Sequence, residues 1–128
     1  MFKKLQIIGL PGAGKTTQIK RYLEKNKFNT DFLDICNFIG TYRERLFRQT
    51  IINYQQDVIA ESACGIQGIG YVIKINTPIE QIYTQLLERD NFLDEDYLSL
   101  LNTQMIVADC TLTVPEDLPG LLKIIFKR

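Results

Sequence analysis

The chain has 128 residues, of which 45% are apolar and 23% charged, with only 8 glycines and 4 prolines. These proportions are typical of a single folded domain and exclude disordered, collagen-like and two-domain proteins. Fifteen basic residues balance fifteen acidic ones, and this balance argues against binding to nucleic acid or to an anionic membrane surface.

The chain contains no histidine, which limits the chemistry open to it. Zinc binding through imidazole, Ser-His and Cys-His nucleophilic pairs, and a histidine general base are all excluded. The three cysteines, Cys36, Cys64 and Cys110, are widely spaced and odd in number, so they predict reduced thiols instead of a disulfide framework. Because the sequence also shows no signal peptide and no apolar run of about 18 residues, we expect a cytoplasmic protein.

Short apolar runs and amphipathic stretches alternate in the first half of the chain. A strand is predicted at 5–8 and a helix at 15–25, where Lys25 and Lys27 suit the negative end of the helix dipole. A second strand at 32–35 precedes a helix at 40–54, for which we expect a break near Thr50. A third strand follows at 58–60.

The alternation continues in the second half. A glycine-containing loop at 64–70 leads to the clearest strand, at 71–75. A helix then runs from Pro78 to Arg89, with Thr77 predicted as its N-cap. The remaining elements are a helix that begins near 94, a strand at 111–114 and a helix at 116–126.

Strands that alternate with helices predict an α/β fold, in which helices cover both faces of a parallel sheet. We expect residues 1–128 to form one such three-layer domain. Gly9, Asp34 and Glu61 each stand at the carboxyl end of a predicted strand. Ligands of these folds bind at that edge of the sheet, so the three positions are expected to converge there.

One segment between the first strand and the first helix carries a specific motif. It reads GLPGAGKT and fits G-x-x-x-x-G-K-[ST] at every fixed position. The glycines let the loop curl so that backbone N–H groups and the helix N-terminus bind phosphate, while Lys15 reaches the β- and γ-phosphates. The Thr16 hydroxyl can ligate Mg²⁺. The residues predicted to bind a nucleoside triphosphate are Gly9, Leu10, Pro11, Gly12, Ala13, Gly14, Lys15, Thr16 and Thr17.

The chain resembles the small P-loop kinases, of which adenylate, shikimate and gluconate kinases are examples. The resemblance rests on GLPGAGKTT and on the acid at the end of each of the next two strands. It rests also on 71–89, where a strand, a Pro-x-Glu helix start and an arginine follow one another, and on the strand within 108–114. The resemblance implies a five-stranded P-loop fold in the order 2-3-1-4-5. It also implies ATP with Mg²⁺ as the phosphoryl donor and a small molecule as the acceptor.

The resemblance further implies roles for two carboxylates, Asp34 and Glu61. Each could bind Mg²⁺, directly or through water, or accept the proton of the acceptor hydroxyl, and each could instead cap a loop or pair with an arginine. We assign the acceptor side to Asp34 and the metal to Glu61. Because the chain has no histidine, a carboxylate must supply any general base.

Arginines are the candidates for binding negative charge. Arg89 is expected to close over the phosphates from a short lid at 89–94. Arg45 and Arg48 share one face of the predicted second helix, whereas Arg43 points elsewhere, so the first two are expected to bind an anionic acceptor. The alternative for this helix is a solvated charged surface.

Two classes of function remain open from the sequence. The first is a kinase that acts on a nucleotide, a nucleoside, a sugar acid or another small metabolite. The second is a weakly hydrolytic or non-catalytic nucleotide-binding module with a protein partner. The second class is favoured by Gln85 and Cys36, which replace a second lid arginine and a second acid of the kinase pattern. The first class, which we predict, is favoured by the residues that match the pattern: Lys15, Thr16, Asp34, Glu61 and Arg89. A GTPase is disfavoured, because no DxxG directly follows the third strand, where 61–65 reads ESACG, and NKFN at 26–29 lacks the final aspartate of a guanine-binding motif.

Overall fold

The computed structural model describes residues 2–26 and 30–127. Within these ranges the strands are β1 (Lys4–Ile8), β2 (Thr30–Asp34), β3 (Asp57–Ser62), β4 (Tyr71–Ile75) and β5 (Cys110–Leu112). The helices are α1 (Lys15–Lys25), α2 (Arg43–Ile52), α3 (Ile79–Asp90), α4 (Glu95–Gln104) and α5 (Leu118–Ile125). Lys27 lies outside the described residues, as do Phe28 and Asn29 of the NKFN segment.

All strands lie in one parallel sheet with the order β2-β3-β1-β4-β5. This arrangement confirms the α/β fold and the strand order that the resemblance implies. The register pairs Asp34 with Glu61 on β2 and β3, and Ile7 with Glu61 on β1 and β3. The carboxyl ends of the three strands therefore stop at the same edge of the sheet, and their following loops lie side by side.

Alternate residues of the central strands point to opposite faces of the sheet, which explains the two apolar cores. Ile59 of β3 packs in a cluster that includes Ile19 of α1, Ile82 of α3 and Leu122 of α5. The neighbouring β3 residues Val58 and Ala60 belong to a second cluster, with Phe47 and Ile51 of α2. Helices thus cover both faces, as the three-layer prediction requires. None of the helices in the described part of the chain is long and apolar enough to cross a membrane.

One polar side chain lies at the centre of the sheet. Gln6 of β1 is completely buried, and its amide nitrogen donates to the carbonyls of Ile66 and Ile69, both at 2.8 Å. Its amide oxygen accepts from the backbone N–H of Ile66, also at 2.8 Å. A buried amide is stable only when such bonds are made. Gln6 therefore fixes the loop between β3 and β4 to the middle of the sheet.

Two predicted details of the helices are wrong. No break occurs near Thr50, since α2 continues to Ile52 and the Thr50 hydroxyl donates to the carbonyl of Leu46 at 2.8 Å, as is common inside helices. Thr77 is not the N-cap of α3, because Pro78 occupies that position and the Thr77 hydroxyl bonds elsewhere. In each case the threonine hydroxyl donates to a backbone carbonyl, that of Leu46 for Thr50 and that of Ala13 for Thr77.

The C-terminal elements are shorter than predicted. Strand β5 comprises Cys110–Leu112 instead of 111–114, and α5 begins at Leu118 instead of 116. A 3₁₀ turn at Pro115–Asp117 separates the two elements. Proline disfavours an extended ladder and fits the first turn of a helix, so Pro115 ends the strand and starts this turn.

Candidate functional site

A cleft of about 880 Å³ opens at the carboxyl edge of the sheet. The motif loop forms its floor, and the ends of β2 and β3, the start of α2, the end of α3 and one side of α4 form its walls. A smaller hollow of about 620 Å³ beside α2 is lined, among the described residues, by uncharged side chains and by none of the predicted site residues. The large cleft is therefore the candidate site.

The motif loop adopts backbone conformations that only glycine tolerates well. Gly14 has φ +93° and is the N-cap of α1, where no side chain from the described residues caps the helix. Gly9 has φ +155°, and a Cβ added there would lie 2.7 Å from the carbonyl oxygen of Ile75. The first N–H groups of α1 have no partner inside the helix, so they are available to an anion.

Lys15 lies inside the loop and not on its surface. Its side chain is only 8% exposed, and its ammonium group donates to the carbonyl of Gly9 and, at 3.1 Å, to that of Leu10. Burial lowers the pKa of Lys15 to about 8, while Glu61 and Asp34 oppose the shift. A cation in this position can compensate the charge of an anion that enters the loop.

Thr16 and Glu61 form the polar contact between the loop and β3. The Thr16 hydroxyl is 2.6 Å from Glu61 Oε1 and 2.8 Å from Oε2, and it donates to this carboxylate. Burial raises the pKa of Glu61, against the opposing effects of the Thr16 bond and the Lys15 charge. A hydroxyl and a carboxylate are hard oxygen donors, so this pair fits a Mg²⁺ ion that a triphosphate also ligates.

Asp34 lies beside Glu61 at the end of β2 and also lines the cleft. Its Oδ1 accepts from the backbone N–H of Cys36 at 2.9 Å, which caps the 3₁₀ turn Ile35–Asn37. The loop-capping alternative is thus correct for one oxygen of this carboxylate. The cap fixes the side chain, which also lines the cleft. The role of Asp34 toward an acceptor stays a prediction.

The arginines of α2 are placed differently from the prediction. Arg43 lines the cleft, whereas Arg45 and Arg48 are not among its lining residues. Arg48 instead donates to the carbonyl of Gln67 at 2.9 Å, and Arg45 is exposed. Residues two apart on a helix point about 200° apart, so α2 can turn only one of Arg43 and Arg45 toward the cleft. Of the three arginines, the structure places only Arg43 at the cleft, contrary to the expected orientation of this helix, and the binding of an acceptor by an arginine of α2 stays a prediction.

Arg89 lines the cleft, but its guanidinium group forms a salt bridge with Asp90. Its Nε and Nη2 each lie 2.9 Å from an oxygen of Asp90, and this bond raises the pKa of Arg89. The side chain is 60% exposed, so it can turn away from Asp90 at little cost. The connection to α4 comprises only residues 91–94.

Sequence reasoning missed several residues of the cleft. Cys64 lies three positions after Glu61, so the rule that ligands bind after strand ends could have identified it. Tyr97, Leu101 and Gln104 line the cleft from α4 at helical spacing, which is a recognisable stripe. The stripe alone could not show that α4 packs beside this cleft. The cleft also contains Glu44, Gln85 and Glu88.

No family model and no curated protein matches the chain. Solved structures match across nearly its whole length. A shikimate kinase from Bacteroides thetaiotaomicron is 14% identical, with 98% of this chain and 99% of that chain covered and a TM-score of 0.68. A shikimate kinase from Acinetobacter baumannii in complex with shikimate is 20% identical, with coverages of 98% and 93% and a TM-score of 0.61.

The APS kinase of Mycobacterium tuberculosis in complex with AMPPNP and APS is a third similar structure. It is 12% identical, with 99% of this chain and 98% of that chain covered and a TM-score of 0.63. Together with the order of the sheet and the motif loop, these matches show that the chain has the fold of the P-loop small-molecule kinases. The resemblance drawn from the sequence is confirmed for the fold.

Proposed function

We propose that the chain is an ATP-dependent phosphotransferase that moves the γ-phosphoryl group to a small acceptor molecule. The observation that carries this proposal is the composition of one cleft. It combines a buried lysine within a glycine loop, the Thr16–Glu61 pair and a second carboxylate, Asp34. The similarity to kinases solved with shikimate, or with AMPPNP and APS, supports the same reaction class.

The motif loop binds the triphosphate in this proposal. The N–H groups at the start of α1 and the ammonium group of Lys15 compensate the negative charge of the phosphates, which shifts onto the leaving oxygen of ADP as its bond to the γ-phosphorus breaks. Thr17 also lines the cleft and is assigned to the α-phosphate. Lys15 is buried before nucleotide binds, so little reorganisation of the loop is needed.

Thr16 and Glu61 would hold Mg²⁺, and the ion, when bound, neutralises charge on the phosphate oxygens. No group of three or more acidic, cysteine or histidine side chains with metal-binding geometry occurs among the described residues. Two protein oxygens suit Mg²⁺ all the same, since it retains waters and takes further ligands from the substrate phosphates.

Asp34 is assigned to the acceptor in this mechanism. Its carboxylate accepts the proton of the acceptor hydroxyl as that oxygen bonds to the γ-phosphorus and ADP leaves. Arg43 provides positive charge on the same side of the cleft for an anionic group of the acceptor. Arg89 leaves Asp90 and stabilises the charge of the transferring phosphoryl group.

The test is ATP consumption by the purified protein with Mg²⁺, alone and with a panel of nucleosides, nucleoside monophosphates, sugar acids and hydroxy acids. Acceptor-dependent formation of ADP and of a phosphorylated acceptor supports a kinase. Lys15→Ala should abolish this turnover, and Lys25→Ala, an exposed lysine of the same helix, is the matched control. Tight binding of ATP without turnover for any acceptor would instead indicate the nucleotide-binding module.

A further inference from the structure

Thr77 stands between β4 and α3, outside the motif, yet it contacts the motif loop. Its hydroxyl donates to the carbonyl oxygen of Ala13 at 2.8 Å, and its side chain is only 5% exposed. The two residues are 64 positions apart in the chain. A buried hydroxyl that bonds a single carbonyl selects one orientation of that carbonyl, because any other leaves both groups unpaired.

The orientation of the Ala13 carbonyl also decides where the next N–H group points. The peptide bond is planar, and it is trans here, since the described residues contain no cis bond. In a trans peptide the C=O and N–H point in opposite directions. When the Ala13 oxygen points to Thr77, the N–H of Gly14 must point the other way. Thr77 lies behind the loop, outside the residues that line the cleft, whereas Gly14 lines it.

This peptide needs such a restraint more than its neighbours do. Gly14 has φ +93°, and glycine can rotate between positive and negative φ at little cost, so the peptide before it is free to flip. Other contacts hold other parts of the loop. The N–H of Ala13 donates to the carbonyl of Leu10 at 3.1 Å, and a Cβ added at Gly12 would lie only 3.2 Å from the Leu86 side chain. Among the described residues, only Thr77 donates to the carbonyl of Ala13.

We propose that Thr77 is a positioning residue for the phosphate loop, which keeps the Gly14 N–H directed into the cleft by holding the carbonyl of Ala13. The inference rests on the proposed function, because the anion that the Gly14 N–H would bind is the triphosphate of ATP. Thr77 touches no substrate. It acts by preorganising a donor, so that binding need not first reorient a peptide.

The experiment compares three variants with the wild type. Thr77→Val removes the hydroxyl and keeps the branched shape, and Thr77→Ser restores the hydroxyl. Thr84→Val is the matched control, since the Thr84 hydroxyl donates to the carbonyl of Glu80 on the exposed side of α3. The dissociation constants of Mg·ATP and of inorganic triphosphate are measured by calorimetry, and melting temperatures are recorded for each variant.

We expect Thr77→Val to weaken both ligands about five- to ten-fold, as the loss of one hydrogen bond predicts. Thr77→Ser should recover most of this loss, and Thr84→Val should bind as the wild type does. A merely structural role for Thr77 would lower the melting temperature of Thr77→Val and leave affinity unchanged once folded protein is compared. That result, or a failure of Thr77→Ser to restore binding, would overturn the proposal.

A measurement on the wild type covers the case in which Thr77→Val does not fold. Inorganic triphosphate should shift the amide proton of Gly14 in a ¹⁵N-resolved NMR spectrum and slow its exchange with solvent. An unmoved Gly14 signal in protein that binds triphosphate would also refute the inference. If the wild type binds neither Mg·ATP nor triphosphate, the proposed function fails instead, and the two failures are thereby distinguished.

Discussion

The hydroxyl of Thr16 lies within 2.8 Å of both carboxylate oxygens of Glu61, although the two residues are 45 positions apart. Thr16 is in the first turn of α1, and Glu61 is near the end of the strand next to β1. The hydroxyl donates to this carboxylate. Glu61 is nearly buried, so a cation that replaces this proton contact gains a ligand already stripped of most of its water.

The first prediction concerns Glu61→Gln, which keeps an oxygen for the Thr16 hydroxyl and removes the charge. ATP affinity measured with Mg²⁺ should fall roughly ten-fold, whereas affinity without Mg²⁺ should be unchanged or slightly higher. Titrations with and without Mg²⁺ test this difference. Glu80→Gln, on the exposed first turn of α3, is the control. An equal loss with and without the ion would show that Glu61 supports the loop and not the metal.

The second prediction is that Lys15→Met separates stability from function. Burial makes the charged ammonium group costly, as its lowered pKa shows, so the apolar methionine should raise the melting temperature of the nucleotide-free protein. The same change should weaken ATP binding about ten- to a hundred-fold, because a charged hydrogen-bond donor is lost. Thermal melts and calorimetry measure the two effects, with Lys25→Met as control. A lower melting temperature would contradict the idea that Lys15 is retained at a cost to the fold.

The third prediction is a pH dependence that belongs to Lys15. Its pKa falls from 10.5 to about 8 on folding, so the unfolded chain holds one more proton than the folded chain between these values. The destabilising effect of the buried charge is full below pH 8, decreases as the pH rises toward 10.5, and is absent above it. The difference in unfolding free energy between wild type and Lys15→Met should therefore shrink across this range.

Nucleotide binding should change in the opposite direction over the same pH range. In the proposed function the triphosphate binds the ammonium form of Lys15, and above pH 8 a growing share of the free protein lacks that charge. ATP affinity should decline by about ten-fold per pH unit well above this value, which corresponds to uptake of one proton on binding. Calorimetry in buffers of different ionisation enthalpy measures the proton uptake directly. A flat affinity from pH 8 upward would exclude a titrating Lys15.

The fourth prediction separates the two carboxylates at the sheet edge. Asp34→Asn should abolish phosphoryl transfer while ATP binding stays within a few-fold of the wild type, because an amide still caps the 3₁₀ turn but accepts no proton. Turnover with the acceptor identified by the panel and ATP titration measure the two quantities. Asp96→Asn, on the exposed surface of α4, serves as control. If ATP binding is lost together with turnover, Asp34 is a metal or structural residue.

The fifth prediction concerns Arg89. Arg89→Ala should lower kcat more than it weakens ATP binding, because in the proposed mechanism its guanidinium group leaves Asp90 and contacts the phosphates in the transition state. Asp90→Ala frees Arg89 and should leave kcat unchanged or raise it. Arg45→Ala is the matched surface control. Equal losses of kcat and ATP affinity in Arg89→Ala would assign the arginine to ground-state binding.

The sequence predicts those parts of the site that depend on one segment or on topology. The motif loop is contiguous, and the parallel sheet necessarily brings the ends of β1, β2 and β3 to one edge, so Lys15, Asp34 and Glu61 could be grouped in advance. Their proximity follows from strand order and needs no knowledge of packing. The strand order itself was expected only from the resemblance to the small P-loop kinases, and the structure confirms it.

Strand order and topology do not predict how a helix is rotated about its own axis. Arg43, Arg45 and Arg48 were equivalent in type, and only the packing of Phe47 and Ile51 into the second core decides which arginine faces the cleft. The hydroxyl of Thr77 presents a similar difficulty. An N-cap and a bond to the motif loop are both open to a threonine at that position, and the choice depends on Ala13, 64 residues away.

The burial of Gln6 has a consequence for how this protein could acquire a new acceptor. Gln6 holds the Ile66 end of one cleft wall, and it stands on β1 only three residues before Gly9. The cleft wall and the motif loop are therefore both positioned by β1. Divergence toward another substrate should proceed by exchange of lining side chains such as Arg43 or Gln85. The backbones of the wall and the loop should keep their positions relative to each other.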